Sequence, residues 1–240
     1  MPKITIVMPT YNQSKFIRQT INSILAQTFQ DFELIIIDDG STDETLKIVR
    51  EYIDKPEPRI TLQTKKNAGT GSALNYGFAI STGQYETWFA SDNIMYPAAL
   101  QELNDYLDNH PGCNYVYANC EIGVMDHTGL IETQRKNLKE EVCQDWKSET
   151  LMEHYFIGIV WLWRRELRIR AGEFQIEPCE DYDMVLRMQE SEGRFEFLDK
   201  CLGWFRRHGE NMSMKIAKSG DRDGYSRLAQ RKARIRRKLA

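Results

Sequence analysis

Apolar residues along the first half of the chain alternate between two spacings. Ile4-Thr-Ile-Val-Met8 is a short continuous run rich in β-branched residues, the pattern of a buried strand. After polar Asn12 and Ser14, residues Ile17, Ile21, Ile24 and Leu25 recur at helical spacing. Glu33 to Ile37 reads as a second buried strand. Ser41-Thr-Asp-Glu44 has the form of a capping box, with Leu46, Val49 and Ile53 following at helical spacing. Ile60 to Gln63 predicts a third strand, Ser72 to Ile80 a helix and Tyr85 to Ala90 a fourth strand. Leu100, Leu103 and Leu107 mark another helix, and Tyr115 to Ala118 another strand. Repeated strand-helix alternation implies parallel strands joined by right-handed crossovers. The expected class is α/β, with a Rossmann-like, mostly parallel sheet flanked by helices.

Open sheets of this kind bind ligands beyond the carboxyl ends of their strands. The informative stretches are therefore Pro9-Thr-Tyr-Asn12, Asp38-Asp-Gly-Ser-Thr-Asp43, Lys66-Asn-Ala-Gly69 and Ser91-Asp-Asn93. All follow strands, and all are expected on one rim. The second half is less regular. Gly123 to Ser148 is polar and mixed, a long excursion with an exposed loop. Phe156 to Trp163 is apolar and aromatic, and Asp183 to Glu190 suits a helix. From Arg227 to Ala240 there is no acidic residue. Without an internal repeat or a clear linker, one domain with a C-terminal helical extension is the simplest organisation.

Composition narrows the function. The 240 residues carry 32 Lys plus Arg against 35 Asp plus Glu, a net charge of -3, so no global basic field calls for nucleic acid. Cys113, Cys120, Cys143, Cys179 and Cys201 are odd in number and form no CxxC pair. They read as reduced thiols of a cytosolic protein. The first apolar run is too short for a signal peptide, and no run approaches a membrane span. Any membrane contact is expected to be peripheral.

Each polar stretch also has a plain structural reading. Asp38 and Asp39 suit a turn and a helix cap. Beside them, Tyr11 offers a flat ring and Asp39 an acceptor, which a uracil-like base needs. Asp92 is either a turn residue ahead of Pro97 or a hard oxygen ligand for Mg²⁺ or Mn²⁺. Glu180, Asp181 and Asp183 either favour a helix N-terminus or include a general base. Arg206-Arg-His208 with Asn211 and Ser213 forms a polar cluster in which His208 is a candidate metal or phosphate contact. Trp161, Trp163 and Trp204 suit the core first and sugar stacking second.

Taken together these pieces resemble the family 2 glycosyltransferases of GT-A fold, and closely the spore-coat-type members. The matching blocks run in order. They are Pro9-Thr-Tyr-Asn12, Asp38 to Asp43, Asn67-Ala-Gly69 with Ala73 and Asn75, and Gly83-Gln-Tyr85. Then come Ser91-Asp-Asn93 with Pro97, Glu180 to Asp183 with Arg187, and Arg207-His208 with Asn211 and Ser213. They cover about residues 3–214. Two departures stand out. Most members carry Asp-x-Asp where this chain has Ala90-Ser-Asp92, although some spore-coat-type relatives also lack the first carboxylate. Leu74 stands where many members have Arg, a donor contact that Lys66 could supply instead.

The resemblance implies a GT-A domain over 1–214, with a nucleotide-binding half at 1–110 and an acceptor-binding half at 111–214. A basic extension follows at 215–240. It implies that Pro9, Thr10, Tyr11, Asn12, Asp38, Asp39, Asn67, Gly69, Ser91 and Asp92 bind the nucleotide, with Tyr11 stacking on the base. Asp92 and His208 hold Mn²⁺ or Mg²⁺, Asp181 is the catalytic base, and Glu180 with Trp161 contacts the acceptor. The expected reaction is inverting transfer from a nucleotide diphosphate sugar, a UDP-sugar, to a hydroxyl of a glycan or lipid-linked glycan. The expected place is the cytoplasm, with peripheral contact at the inner membrane face through the basic tail. Asp126 to Gln144 is expected to act as a mobile lid over the acceptor. Two rivals remain. A sugar nucleotidyltransferase calls for a Gly-rich basic loop where Pro9-Thr-Tyr-Asn12 stands. A degenerate member that binds without turnover draws its support from Ala90.

Overall fold

The computed structural model describes residues 1–54, 57–125, 131–132, 158–175, 179–208, 211 and 222–239. The first half runs β1 (Ile4–Thr10), α1 (Ile17–Leu25), β2 (Phe32–Asp38), α2 (Thr45–Asp54), β3 (Ile60–Thr64), α3 (Thr70–Ala79) and β4 (Tyr85–Trp88). Short β5 (Ile94–Met95) and α4 (Ala99–Asn109) follow. The second half comprises β6 (Tyr115–Met125), β7 (Ile131–Glu132), β8 (Val160–Arg164), α5 (Arg165–Ala171), α6 (Glu180–Glu190), β9 (Phe195–Arg207) and α7 (Arg222–Leu239).

The sheet order is β3-β2-β1-β4-β8-β6-β9-β5, with β7 on β6. β1 runs parallel to β2 and β4, and β2 to β3, as the strand-helix alternation predicts. Beyond β4 the direction alternates. β8 is antiparallel to both β4 and β6, β9 is parallel to β6, and β5 is antiparallel to β9. The mostly parallel expectation thus describes the first four strands, and the rest of the sheet is mixed.

Both faces of the sheet are covered, which is why its strands read as unbroken apolar runs. Ile4, Ile6, Met8, Leu34, Ile36, Val116 and Leu162 face one core with α1 and α4. Full burial of Ile17, Ile21 and Ile24 on α1 contributes about 1.5–3 kcal/mol each. Val7, Ile35, Ile37, Tyr115, Tyr117, Trp161 and Trp163 face the other core with α3, α6 and α7. That second face is the aromatic one, and Trp161, at 4% exposure, belongs to it. Trp163 and Trp204 are buried as well, so all three tryptophans take the core reading. Gly83 permits the tight join of α3 to β4. A Cβ there would meet Thr5 N at 2.6 Å, where Gly83 N donates to Thr5 Oγ1 at 2.8 Å.

One local expectation changes and another gains detail. The Ser41 capping box does not form. Ser41 Oγ instead accepts from Asn12 N at 3.0 Å, and Asp43 Oδ1 takes the helix-start role by accepting from Thr45 N at 2.9 Å. The basic tail forms the expected helical extension, and one of its sides is docked. Ala229 and Ala233 are buried, and Arg236 pairs with Asp183 and Glu190 of α6. Ser213 and, apart from Ile131–Glu132, the expected lid at Asp126 to Gln144 lie outside the described residues.

Candidate active site

The carboxyl ends of β1 and β2 are in register, with Thr10 opposite Asp38. Both side chains are buried, and Thr10 Oγ1 and Asp38 Oδ1 have no hydrogen-bond partner among the described residues. Asp38 Oδ2 accepts from Ser41 N at 3.2 Å. Tyr11 turns outward and is 46% exposed, so its ring is open to a stacking partner. Asn12 adopts φ 53°, a turn conformation Asn tolerates, and its Oδ1 accepts from Thr42 N at 2.8 Å. The β1 and β2 loops are thus stitched to each other.

Asp39 organises the next loop. Its Oδ1 accepts from Lys65 Nζ at 2.5 Å, and its Oδ2 from Gly69 N at 2.8 Å. Ala68 N reaches both oxygens, at 3.1 and 3.2 Å. A carboxylate offers about four acceptor sites, so the shared Ala68 bond leaves capacity on Oδ2. Gly40 makes this approach possible, because it has φ 80° and a Cβ there would lie 3.1 Å from Asn67 N. Asn67 and Gly69 are exposed on the same loop.

Beyond β4, the turn at Ser91-Asp-Asn93 is fixed from beneath. Thr20 Oγ1 on α1 donates to the carbonyls of Ser91 and Asn93, at 3.0 and 2.8 Å. Asp92 Oδ2 meets His208 Nε2 at 3.0 Å and accepts from Asn211 Nδ2 at 3.1 Å. Asn211 Oδ1 in turn accepts from His208 N at 2.6 Å, and the His208 ring packs on Phe16 with centroids 4.3 Å apart. Residues more than a hundred positions apart therefore meet. The support beneath them was not read from the sequence. Arg206, fully buried, donates from Nε to the Asp92 carbonyl at 2.8 Å and from Nη2 to Gln19 Oε1 at 2.7 Å. Arg206 directly follows the apolar stretch Leu202-Gly-Trp-Phe205, but its place beneath Asp92 comes only with the fold.

The third group sits at the start of α6. Cys179 precedes it with φ 68°, and Asp181 Oδ1 accepts from Tyr182 N at 2.7 Å. Burial first, and the neighbouring Asp181 charge second, push the Glu180 carboxyl up to about 7. Asp183 is separate from this pair. It is buried and pairs with Arg187 Nε at 2.8 Å and Arg236 Nη1 at 3.1 Å, so its work is to dock α7. Asp181 also lines a small cavity with Trp88, Tyr115 and Trp161, which joins this corner to the end of β4. Among the described residues no helix is long and apolar enough to cross a membrane, and no group of three His, Cys, Asp or Glu converges as a metal cage.

Comparison with known proteins finds glycosyltransferases among the similar chains. An uncharacterized glycosyltransferase of Nostoc sp. is 28% identical over 229 residues, covering 90% of this chain and 68% of that protein. Chondroitin synthase of Escherichia coli is 30% identical, covering 90% of this chain and 30% of the synthase. The chain thus spans under a third of that synthase's length. Among solved structures, S. aureus TarS 1-349 in complex with UDP-GlcNAc superposes with TM-score 0.72 at 23% identity, over 88% of this chain and 60% of that one. The mannosyltransferase PcManGT of Pyrobaculum calidifontis, in complex with GDP-Man and Mn²⁺, gives 0.71 at 19%, over 94% and 63%. These likenesses give the fold as GT-A. Residues 5–167 match glycosyl transferase family 2, and the chain belongs to that family of glycosyltransferases.

Proposed function

We propose that the protein transfers a sugar, with inversion, from a UDP-sugar to a hydroxyl of a glycan or lipid-linked glycan. One observation carries this reading. Along one rim, tied-down polar groups after β1, β2 and β4 stand apart from a crowded acid pair, Glu180 and Asp181, at the start of α6. The first set suits a bound nucleotide diphosphate, and the second suits proton transfer. Tyr11 stacks on the base while Asp39 accepts from its edge through Oδ2. Thr10 and Asp38, with buried acceptors to spare, take the ribose side, and Pro9, Asn12, Asn67, Gly69 and Ser91 shape the pocket. TarS, bound to UDP-GlcNAc, supports the donor class.

Asp92 Oδ2 and His208 Nε2, one hard oxygen and one imidazole 3.0 Å apart, fit Mn²⁺ or Mg²⁺. Asp92 and His208 would hold such an ion, and the chemistry it would supply there is neutralisation of charge developing on the leaving diphosphate. PcManGT, with Mn²⁺, supports this.

Asp181 removes the proton from the acceptor hydroxyl as that oxygen attacks the anomeric carbon, and the UDP leaves from the opposite face. Direct displacement accounts for the inversion and requires no covalent enzyme intermediate. Glu180, holding a proton up to about pH 7, donates a hydrogen bond to the acceptor while Asp181 accepts. Trp161, buried behind Trp88, backs the acceptor wall. The test is UDP release from UDP-sugars by wild type and Asp181→Asn, with UDP binding measured on both. Equal release by the two proteins would remove Asp181 from the mechanism.

The outer side of α7 supports peripheral contact with anionic lipid at the cytoplasmic membrane face. Arg227, Arg231, Arg234 and Lys238 are exposed there, beside Leu228 at 39% and Ile235 at 51% exposure. Basic and aliphatic groups on one helix side suit a lipid interface. Sedimentation with anionic vesicles tests this, and absence of binding at low salt would refute it.

A further inference from the structure

Arg206 is a cation in an unusual position. It is 0% exposed, in β9, directly below the turn that carries Asp92. Its Nη1 has no hydrogen-bond partner among the described residues, and its other contacts are the neutral Asp92 carbonyl and Gln19 Oε1. Its faces rest on Phe16 and Trp204, at 4.6 and 5.6 Å from the ring centroids. Among the described residues no carboxylate lies within ion-pair distance of it. An Arg buried without a partnered anion is costly unless a nearby negative charge offsets it. Asp92 is that charge in part, and burial and Asp92 act on the Arg206 guanidinium in opposite directions. The turn holds a single carboxylate, since position 90 is Ala.

We propose that Arg206 is a positioning residue whose buried charge offsets Asp92, so that this corner accepts the donor diphosphate without depending wholly on a divalent ion. This rests on the donor reading of the Asp92 corner. One carboxylate and one buried cation leave the corner close to neutral before the donor arrives. The guanidinium does not touch the diphosphate. It fixes the Asp92 backbone through Nε and acts on anions across a low-dielectric layer, where one charge is worth roughly ten-fold in affinity.

The experiment is UDP binding by calorimetry, in EDTA and in Mn²⁺, using the full chain as wild type, Arg206→Met and Arg206→Lys. Binding of Mn²⁺ alone is measured on the same proteins by electron paramagnetic resonance. Wild type is expected to bind UDP in EDTA. Arg206→Met should lose roughly ten-fold of that affinity while binding Mn²⁺ alone as well as wild type or better, because a like charge has gone. A merely structural role would weaken both. Arg206→Lys, which keeps the charge, should stay close to wild type in EDTA. Ala90→Asp supplies a check outside the buried site, and it should tighten Mn²⁺ binding and weaken UDP binding in EDTA. Unchanged metal-free UDP affinity in Arg206→Met, or parallel loss of both ligands, overturns the proposal. UDP binding by wild type only with Mn²⁺ overturns it while leaving the donor reading intact. No UDP binding under either condition overturns the donor reading itself.

Discussion

Asp39 accepts hydrogen bonds from Lys65, Ala68 and Gly69, and Asp92 accepts one from Asn211 and meets His208 Nε2, whereas Glu180 and Asp181 crowd each other at the start of one helix. The first pair is oriented by segments that follow β2, β3, β4 and β9, an arrangement suited to holding a charged ligand. The second pair has like charges side by side, which keeps a proton on Glu180 toward neutral pH. In the mechanism proposed above, the contrast separates groups assigned to hold a ligand from groups assigned to move a proton. Asp183, two residues from Asp181, sharpens the point. It shares the helix turn but is neutralised by Arg187 and Arg236, and so belongs to neither class.

The largest expected effect comes from the proton-moving corner. Asp181→Asn should lower turnover by about 10²–10⁴-fold in a transfer assay, with UDP affinity unchanged by calorimetry. A shared loss of both would erase the division between the corners. In the holding corner, Asp92→Asn should raise the Mn²⁺ concentration for half-maximal turnover by about 10–100-fold, and EDTA should suppress turnover. Asn211→Ala, which removes the group bridging Asp92 and His208, should act in the same direction by less.

Glu180 gives a smaller effect with a defined sign. Its folded-state pKa lies above its unfolded value, so the folded protein binds the extra proton. Stability contributed by the neutral form is fully present below about pH 4.5 and is lost as pH rises toward 7. Glu180→Gln should therefore gain on wild type in urea unfolding at pH 8 relative to pH 5. The size is on the order of 1 kcal/mol once solvent screening is allowed for. An equal difference at both pH values would show that Glu180 is not crowded by burial and Asp181.

The parallel half of the fold was legible because both of its faces are buried. Ile4 to Met8 and Glu33 to Ile37 therefore show no polar alternation and read as strands without further context. The strand-end carboxylates followed directly, since parallel topology puts them on one rim. The mixed half resisted because β6, β8 and β9 gather from distant segments, and direction is not encoded in apolar spacing. Ser41 misled because its hydroxyl had two possible uses, and the long-range bond to Asn12 won over the local cap. The helix of the basic tail was expected but its docking was not, since its partners Asp183 and Glu190 sit on a helix some 50 residues earlier. Arg206 was invisible as a support, because only the folded packing shows that it lies beneath Asp92.

Release of UDP from a panel of labelled UDP-sugars, with Mn²⁺ and a glycan acceptor mixture, tests the central claim most directly. The wild-type chain should release UDP from at least one sugar donor and yield a product of inverted anomeric configuration, and Asp181→Asn should bind the same donor without release. Tight UDP binding with no release from any donor, or a product of retained configuration, would contradict the account.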